Sequence, residues 1–95
     1  AVARRDQRRQ AAEERQRLQP LRDQARRLEA ELERLSARKA ELETRLADPA
    51  LYDDDRKEQL KAVLLEQADA DRILAEVEEA WLAVSEELEA AGSMS

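Results

Sequence analysis

The chain has 95 residues, which allows one small domain, and 42% of them are charged, with a formal net charge of −6. It contains no cysteine and only two aromatic residues, Tyr52 and Trp81. This composition excludes a disulfide framework and a thick globular core, and it is typical of a coiled coil. No apolar run approaches the roughly 18 residues that span a bilayer, so no membrane association is expected.

The first segment, residues 1–19, is rich in arginine, glutamine and alanine and has little periodic apolar content. These residues form helices readily, but nothing in the segment supplies a buried face. We interpret it as an Arg-rich linker or a helical extension. Residues 1–27 carry a net charge of +5 and residues 28–95 a net charge of −11, so we expect the two parts to meet different partners.

A leucine-rich heptad pattern predicts a helix over residues 20–47. Steps of 3 and 4 residues alternate without a break and place the apolar residues on one face. The positions on that face are Leu18, Leu21, Ala25, Leu28, Leu32, Leu35, Lys39, Leu42 and Leu46. Pro20 lies inside this pattern, so the helix should either begin near Pro20 or bend there.

Residues 48–54 interrupt the heptads and predict a loop. Pro49 disfavours helical geometry at the residue before it. We expect Leu51 and Tyr52 to pack at the loop end of the molecule. An acidic side chain after the loop should cap the next helix, and the candidates are Asp53, Asp54 and Asp55.

A second heptad pattern predicts a helix over residues 55–91. The positions on its apolar face are Leu60, Val63, Gln67, Ala70, Leu74, Val77, Trp81, Val84 and Leu88. Gly92 should stop this helix, and residues 92–95 are expected to form a disordered tail.

Two heptad helices joined by so short a loop must run in opposite directions. The predicted fold is therefore all-α, a two-helix antiparallel coiled-coil hairpin over residues 20–91. Trp81 should lie level with residues 21–28, and Lys39 should lie near Gln67 and form one polar layer. We expect a monomer rather than a dimer.

The sequence offers no catalytic or cofactor chemistry, so we do not expect this fragment to be an enzyme. It has no histidine or cysteine, and its one glycine, Gly92, cannot form a phosphate-binding loop. The acidic run at residues 53–55 lacks the alternating ligands and central glycine of a calcium loop. We therefore expect no metal, cofactor or small-molecule substrate.

The arginine-rich start is the candidate binding segment. Its arginines repeat at one-turn spacing and on a helix would form a basic stripe that meets phosphate oxygens. The candidate nucleic-acid-binding residues are Arg4, Arg5, Arg8, Arg9, Arg15, Arg17, Arg22, Arg26 and Arg27. Such contacts would read backbone charge and not sequence. The alternative is a solvated linker helix whose acidic residues partly neutralise the arginines.

The loop and the helices on either side of it resemble a known family. The stretch LETRLADPALYDDDRKEQL, followed by EVEEAWLAVSEELEA, combines a heptad helix, an Asp-Pro-Ala-Leu-Tyr turn, an acidic segment and a second helix with Trp81 near its end. This combination resembles the C-terminal coiled-coil domain of ABC-F proteins. The upstream RRDQRRQAAEERQRLQPLRDQARRLEAELERL is most similar to the YheS branch, which is related to the Uup branch.

The resemblance implies a fragment of a cytoplasmic ATPase whose two cassettes, with their ATP and Mg²⁺, lie upstream. It also implies association with the ribosome or its rRNA in translation, and the Uup branch implies DNA binding. Our principal hypothesis is therefore a C-terminal interaction module that contacts rRNA or DNA through its basic start. The alternative is a structural coiled coil that pairs with another protein or with itself.

Overall fold

The protein consists of two long α-helices, with no strand within residues 2–92, which are the residues that the computed structural model describes. Helix α1 spans Val2–Leu46 and helix α2 spans Lys57–Ala90. Two short 3₁₀ turns, Pro49–Tyr52 and Asp54–Arg56, connect them. The molecule is very elongated, with principal extents of 79 × 17 × 15 Å. The prediction of an all-α fold is confirmed.

Helix α1 is longer than the predicted helix of residues 20–47, because it includes the arginine-rich start. Pro20 lies inside α1 and does not begin it. Proline lacks the N–H that would bond the Gln16 carbonyl, but the flanking residues are good helix formers and the helix continues across it. We call residues 2–17 the extension, and we call residues 18–46 together with α2 the helix pair.

Helix α2 lies within the predicted range of residues 55–91 and stops two residues before Gly92. Gly92 has a φ angle of 75°, a conformation that glycine adopts without strain. Its N–H donates a hydrogen bond to the Glu89 carbonyl at 3.0 Å, which satisfies one of the last carbonyls of the helix. The predicted disordered tail, residues 92–95, lies outside the described residues apart from Gly92.

The heptad positions form the apolar seam of the helix pair. None of the eighteen predicted positions is exposed. Leu42 and Val63 are fully buried and pack in one cluster with Leu51 and Ala70. The other buried residues of the seam are Leu18, Ala25, Leu35 and Val84. Because burying one such aliphatic side chain contributes roughly 1.5–3 kcal/mol, the seam is the main source of stability.

Hydrogen bonds between side chains and the backbone stabilise the loop between the helices. The Asp48 carboxylate accepts a hydrogen bond from the Ala50 N–H at 3.0 Å and caps the first 3₁₀ turn. The Tyr52 hydroxyl donates to the Leu46 carbonyl at 2.7 Å, which gives the last residue of α1 a partner. Leu51 is buried at the loop end, whereas the Tyr52 side chain is 56% exposed and acts mainly through its hydroxyl.

The prediction that Asp53, Asp54 or Asp55 caps α2 through its carboxylate was wrong. Arg56 occupies the N-cap position of α2, and its side chain makes no capping bond. Asp53 contributes its backbone carbonyl, which accepts the Arg56 N–H at 2.9 Å. The cause is the second 3₁₀ turn, which holds the acidic residues before the first turn of α2. Their charges still lie near the positive end of the helix dipole.

Polar contacts across the seam show the order in which the helices meet. The Trp81 indole N–H donates to Glu29 Oε1 at 3.1 Å, and the Trp81 side chain is half-buried. Lys39 Nζ lies 2.9 Å from Asp71 Oδ1 and forms an ion pair with it. Asp71 is one helical turn after Gln67, the residue that was predicted to lie near Lys39. Of these two contacts, the one ten residues later on α1 is therefore ten residues earlier on α2.

Arg38 joins the two helices at the edge of the seam. Its Nε and Nη2 atoms donate to the Glu66 carboxylate at 2.7–2.9 Å, and its Nη1 donates to Glu41 at 2.8 Å. The hydrogen bonds to Glu66, followed by the bond to Glu41, raise the pKa of Arg38. One guanidinium thus links a carboxylate of α2 to a carboxylate of α1.

Candidate nucleic-acid interface

All nine candidate arginines lie on α1, six in the extension and three in the helix pair. Every side chain of the extension is exposed except that of Ala12, which is half-buried. Because so little of the extension is packed, its helical structure depends on residue propensity and on contacts within the helix. Its arginines are available to a partner unless an acidic neighbour holds them.

Two arginines of the extension are held by carboxylates on the same helix. Arg17 donates two hydrogen bonds to Glu14, at 2.5 and 3.2 Å. This bidentate contact lowers the pKa of the Glu14 carboxyl and raises the pKa of Arg17. Arg9 lies 3.7 Å from Asp6 and 3.9 Å from Glu13. These two arginines therefore carry a partly neutralised charge.

Asp23 neutralises the arginines that follow it in the helix pair. Its carboxylate accepts a hydrogen bond from the Gln19 amide at 2.9 Å and a second, short one from Arg26. The hydrogen bond from Gln19 is the main cause that lowers the pKa of Asp23. The hydrogen bond from Arg26 and the positive charges of Arg26 and Arg27 lower this pKa further. Arg26 and Arg27 are thus less available than their exposure implies.

Four of the candidates share one face and form no ion pair with any described residue in 2–92. They are separated by 4, 7 and 7 residues, and residues at these separations lie on the same side of an α-helix. We call this set the arginine stripe, and its members are Arg4, Arg8, Arg15 and Arg22. Arg5 also has no ion pair among the described residues, but it lies on the neighbouring face.

Two shallow open depressions adjoin the stripe, and Arg15 and Arg22 border both of them. The first has a volume of about 340 Å³. Its other lining residues are Ala12, Gln16 and Gln19. The second has a volume of about 360 Å³ and lies where α2 ends. Its other lining residues are Ala11, Glu14, Leu18, Ala91 and Gly92. Open surfaces of this kind suit an extended anionic chain better than an enclosed small molecule.

The charge of α2 limits which arginines a polyanion can reach. Between residues 66 and 89, α2 carries nine acidic residues and one basic residue, Arg72. The last of these carboxylates belong to Glu86, Glu87 and Glu89, within one or two turns of the depression that Leu18 borders. A polyanion therefore meets more repulsion along the helix pair than along the extension.

Sequence reasoning named all nine arginines but did not separate them by availability. The sequence does distinguish the unpaired arginines, because no acidic residue lies three or four positions from any member of the arginine stripe. Each of the ion-paired candidates Arg9, Arg17 and Arg26 has such a neighbour. Within residues 2–92, no three carboxylates converge closely enough to hold a metal ion.

The sequence of the helix pair matches a known family. The family model described as the ABC transporter C-terminal domain matches residues 20–90. The chain belongs to this family. The ABC transporter C-terminal domain match covers nearly all of the helix pair and none of the extension, so the arginine stripe lies mostly outside it.

Curated relatives extend the match to most of the chain. Proteins named "Probable ATP-binding protein YheS", from Escherichia coli strains K12 and O157:H7, are 49% identical to it over 89 residues. The alignment covers 94% of this chain and 14% of each relative, so the chain spans about one-seventh of their length. The resemblance to the YheS branch of the ABC-F proteins is confirmed. No solved structure matches the chain.

Neither α1 nor α2, as far as residues 2–92 extend, contains an apolar stretch that is long enough to cross a bilayer.

Proposed function

We propose that this chain is the C-terminal coiled-coil interaction module of a cytoplasmic ABC-F ATPase and that it helps the parent protein associate with the ribosome or another nucleic acid. The family match and the 49% identity to YheS support the parentage. ATP and Mg²⁺ would bind to cassettes upstream of this segment. The chain itself would contribute binding and reach, not hydrolysis.

We also propose that the helix pair is an antiparallel coiled-coil hairpin. The reversed order of the Glu29–Trp81 and Lys39–Asp71 contacts supports it. The alternating 3- and 4-residue spacing of the seam supports it as well. Such a hairpin is a stiff arm, and its loop end lies far from the extension along a molecule 79 Å long.

The observation that carries the nucleic-acid proposal is the arginine stripe. Its four arginines lie on one face of α1, and none of them forms an ion pair with a carboxylate among residues 2–92. Most of the stripe lies beyond the acidic part of α2. Arginine matches phosphate geometry, and neutralising phosphates releases counterions. No aromatic side chain occurs anywhere in α1, so the surface reads phosphate backbone and not bases.

The experiment measures binding of this chain to a duplex RNA across a salt series. We expect the substitution of the stripe residues Arg4, Arg8, Arg15 and Arg22 by alanine to weaken binding at least about tenfold and to reduce the salt dependence. A matched control removes four arginines elsewhere, by Arg34→Ala, Arg45→Ala, Arg56→Ala and Arg72→Ala, and should bind within about twofold of the original chain. Equal binding by all three proteins would contradict the proposal.

A second candidate function is a structural coiled coil that contacts a protein or a second copy of itself. Exposed leucines on α2 favour it, because Leu64, Leu65 and Leu82 are 48%, 65% and 53% exposed. Sedimentation equilibrium tests it directly. A stable dimer without nucleic-acid binding would support this function, and a monomer that binds nucleic acid would support the first. Parallel titrations with duplex RNA and duplex DNA distinguish ribosomal contact from the DNA-binding alternative.

A further inference from the structure

We infer that Leu18 holds the arginine stripe in line across Pro20, so that arginines on both sides of the proline contact one nucleic-acid duplex at the same time. This inference rests on the proposed function, since it concerns how the same surface binds. It assigns Leu18 a positioning role, although its side chain is apolar and 2% exposed. The partner is the phosphate backbone of a duplex.

Pro20 is the point at which α1 bends most easily. It lies inside the helix and has no N–H, so the Gln16 carbonyl loses its usual partner. Sharp bends in long helices occur at such residues. Three members of the stripe precede Pro20, and Arg22 follows it. A bend at this point would turn Arg22 away from the direction of the other three.

Leu18 fixes the helix on the N-terminal side of the proline. It is the first buried residue of α1, because no residue of the extension is buried. It borders the same depression as Ala91 and Gly92 at the end of α2. The first buried contact of α1 therefore lies two residues before Pro20, the point at which α1 bends most easily. Removing that contact frees the extension to swing about Pro20.

A stripe that is held in line fits a stiff polyanion. Its outer members are 18 residues apart, which corresponds to about 27 Å along an α-helix. That is slightly less than one turn of a B-form DNA duplex, roughly 34 Å. A flexible single strand could follow a bent stripe as well as a straight one, and it would also gain from aromatic stacking, which α1 does not offer. The alignment therefore favours a duplex.

The test measures the affinity of this chain for a 20-base-pair RNA duplex, and for a DNA duplex of the same length, across a salt series. Leu18→Ala should lower the affinity at low salt and reduce the slope of log K against log salt by about 0.9, the loss of roughly one phosphate contact. Leu18→Ala with Pro20→Ala should restore the slope, because alanine returns the missing N–H and straightens α1. Circular dichroism checks that the helix pair remains folded.

Two further variants make the measurement specific. Leu82→Ala removes the same side chain from an exposed position, 53% exposed, and should leave the slope unchanged. Arg22→Ala should lower the slope by about 0.9 in the original chain and have no further effect in the Leu18→Ala chain. This non-additivity follows only if Arg22 has already left the duplex when Leu18 is truncated.

The outcomes separate the inference from the proposed function. If the original chain binds neither duplex, the proposed function is wrong. If the original chain binds and Leu18→Ala keeps its slope, the alignment by Leu18 is wrong and the proposed function stands. A slope that falls with Leu18→Ala but is not restored by the added Pro20→Ala also overturns the alignment, because Leu18 would then act through general stability. Equal affinity for a single strand of the same length would exclude a duplex partner.

Discussion

The extension and the helix pair are parts of one protein, but different forces hold them helical. The helix pair has a seam of buried aliphatic side chains, with Leu42 and Val63 fully buried. The extension has no buried side chain and depends on helix-forming residues and on ion pairs such as Glu14–Arg17. A helix of 16 residues is marginal in water without packing. The basic surface is therefore carried by the less stable part of the chain.

Among single substitutions, we expect the greatest loss of stability at Leu42, which is fully buried near the loop end of the helix pair. Leu42→Ala should lower the free energy of unfolding by about 2–5 kcal/mol, because it removes buried surface and leaves a cavity. Urea denaturation followed by circular dichroism measures it. Leu65→Ala is the control, since Leu65 is 65% exposed and its truncation should cost less than about 0.5 kcal/mol. Equal effects of the two changes would contradict the buried seam.

Amide hydrogen exchange should show the next largest contrast. We expect amides of residues 6–16 to exchange roughly 100-fold faster or more than amides of residues 32–42, because local opening of the extension exposes no buried side chain. Two-dimensional NMR in D₂O measures both sets in one sample. Similar protection in both segments would mean that the extension is packed against something in solution, such as a second copy of the chain.

A smaller effect is expected at the hydrogen bond between Trp81 and Glu29. Glu29→Ala should lower the free energy of unfolding by about 0.5–1.5 kcal/mol and move the tryptophan emission, because the indole N–H loses its acceptor. Trp81 is the only tryptophan, so the emission reports on this contact alone. Glu33→Ala removes an exposed carboxylate that makes no bond to Trp81, and it should leave the emission unchanged.

The smallest effect concerns the pH dependence of the Lys39–Asp71 contact. The hydrogen bond to Asp71 is the main cause that raises the pKa of Lys39 above 10.5. A raised pKa in the folded state means that the contact stabilises the protein below pH 10.5 and that this stabilisation is lost as pH rises through the raised pKa. The urea midpoint of the original chain, relative to Lys39→Met, should therefore fall above pH 10.5. If the difference between the two urea midpoints stayed constant as the pH rose, the Lys39–Asp71 contact would not depend on the charge of Lys39.

Much of the helix pair could be predicted from the sequence, because alternating steps of 3 and 4 residues fix which face of a helix is apolar. None of the eighteen seam positions named from that spacing is exposed. The partner of Lys39 could not be fixed in the same way. Asp71 and Gln67 are one turn apart, and spacing alone sets the register of two helices only to about half a heptad.

The start of α1 and the cap of α2 were harder to predict, because weak local preferences compete there. Pro20 can begin a helix or lie inside one, and helix-forming neighbours decided the outcome. The acidic residues after the loop could cap α2 directly or occupy a 3₁₀ turn before it. Acidic neighbours three or four residues away distinguish the paired arginines from the unpaired ones in the sequence. The burial of Leu18 near Pro20 could not be predicted in this way, because it depends on where the end of α2 lies.

The arrangement of the helix pair is tested most directly by one distance between its helices. Because the chain has no cysteine, spin labels can be placed uniquely at Ala30→Cys and Glu79→Cys, both exposed and next to the Glu29–Trp81 contact. Helix axes in contact are about 8–10 Å apart, so pulsed electron paramagnetic resonance should give a label separation below roughly 30 Å. A single uninterrupted helix would place the labels about 74 Å apart, and that result would contradict an antiparallel hairpin.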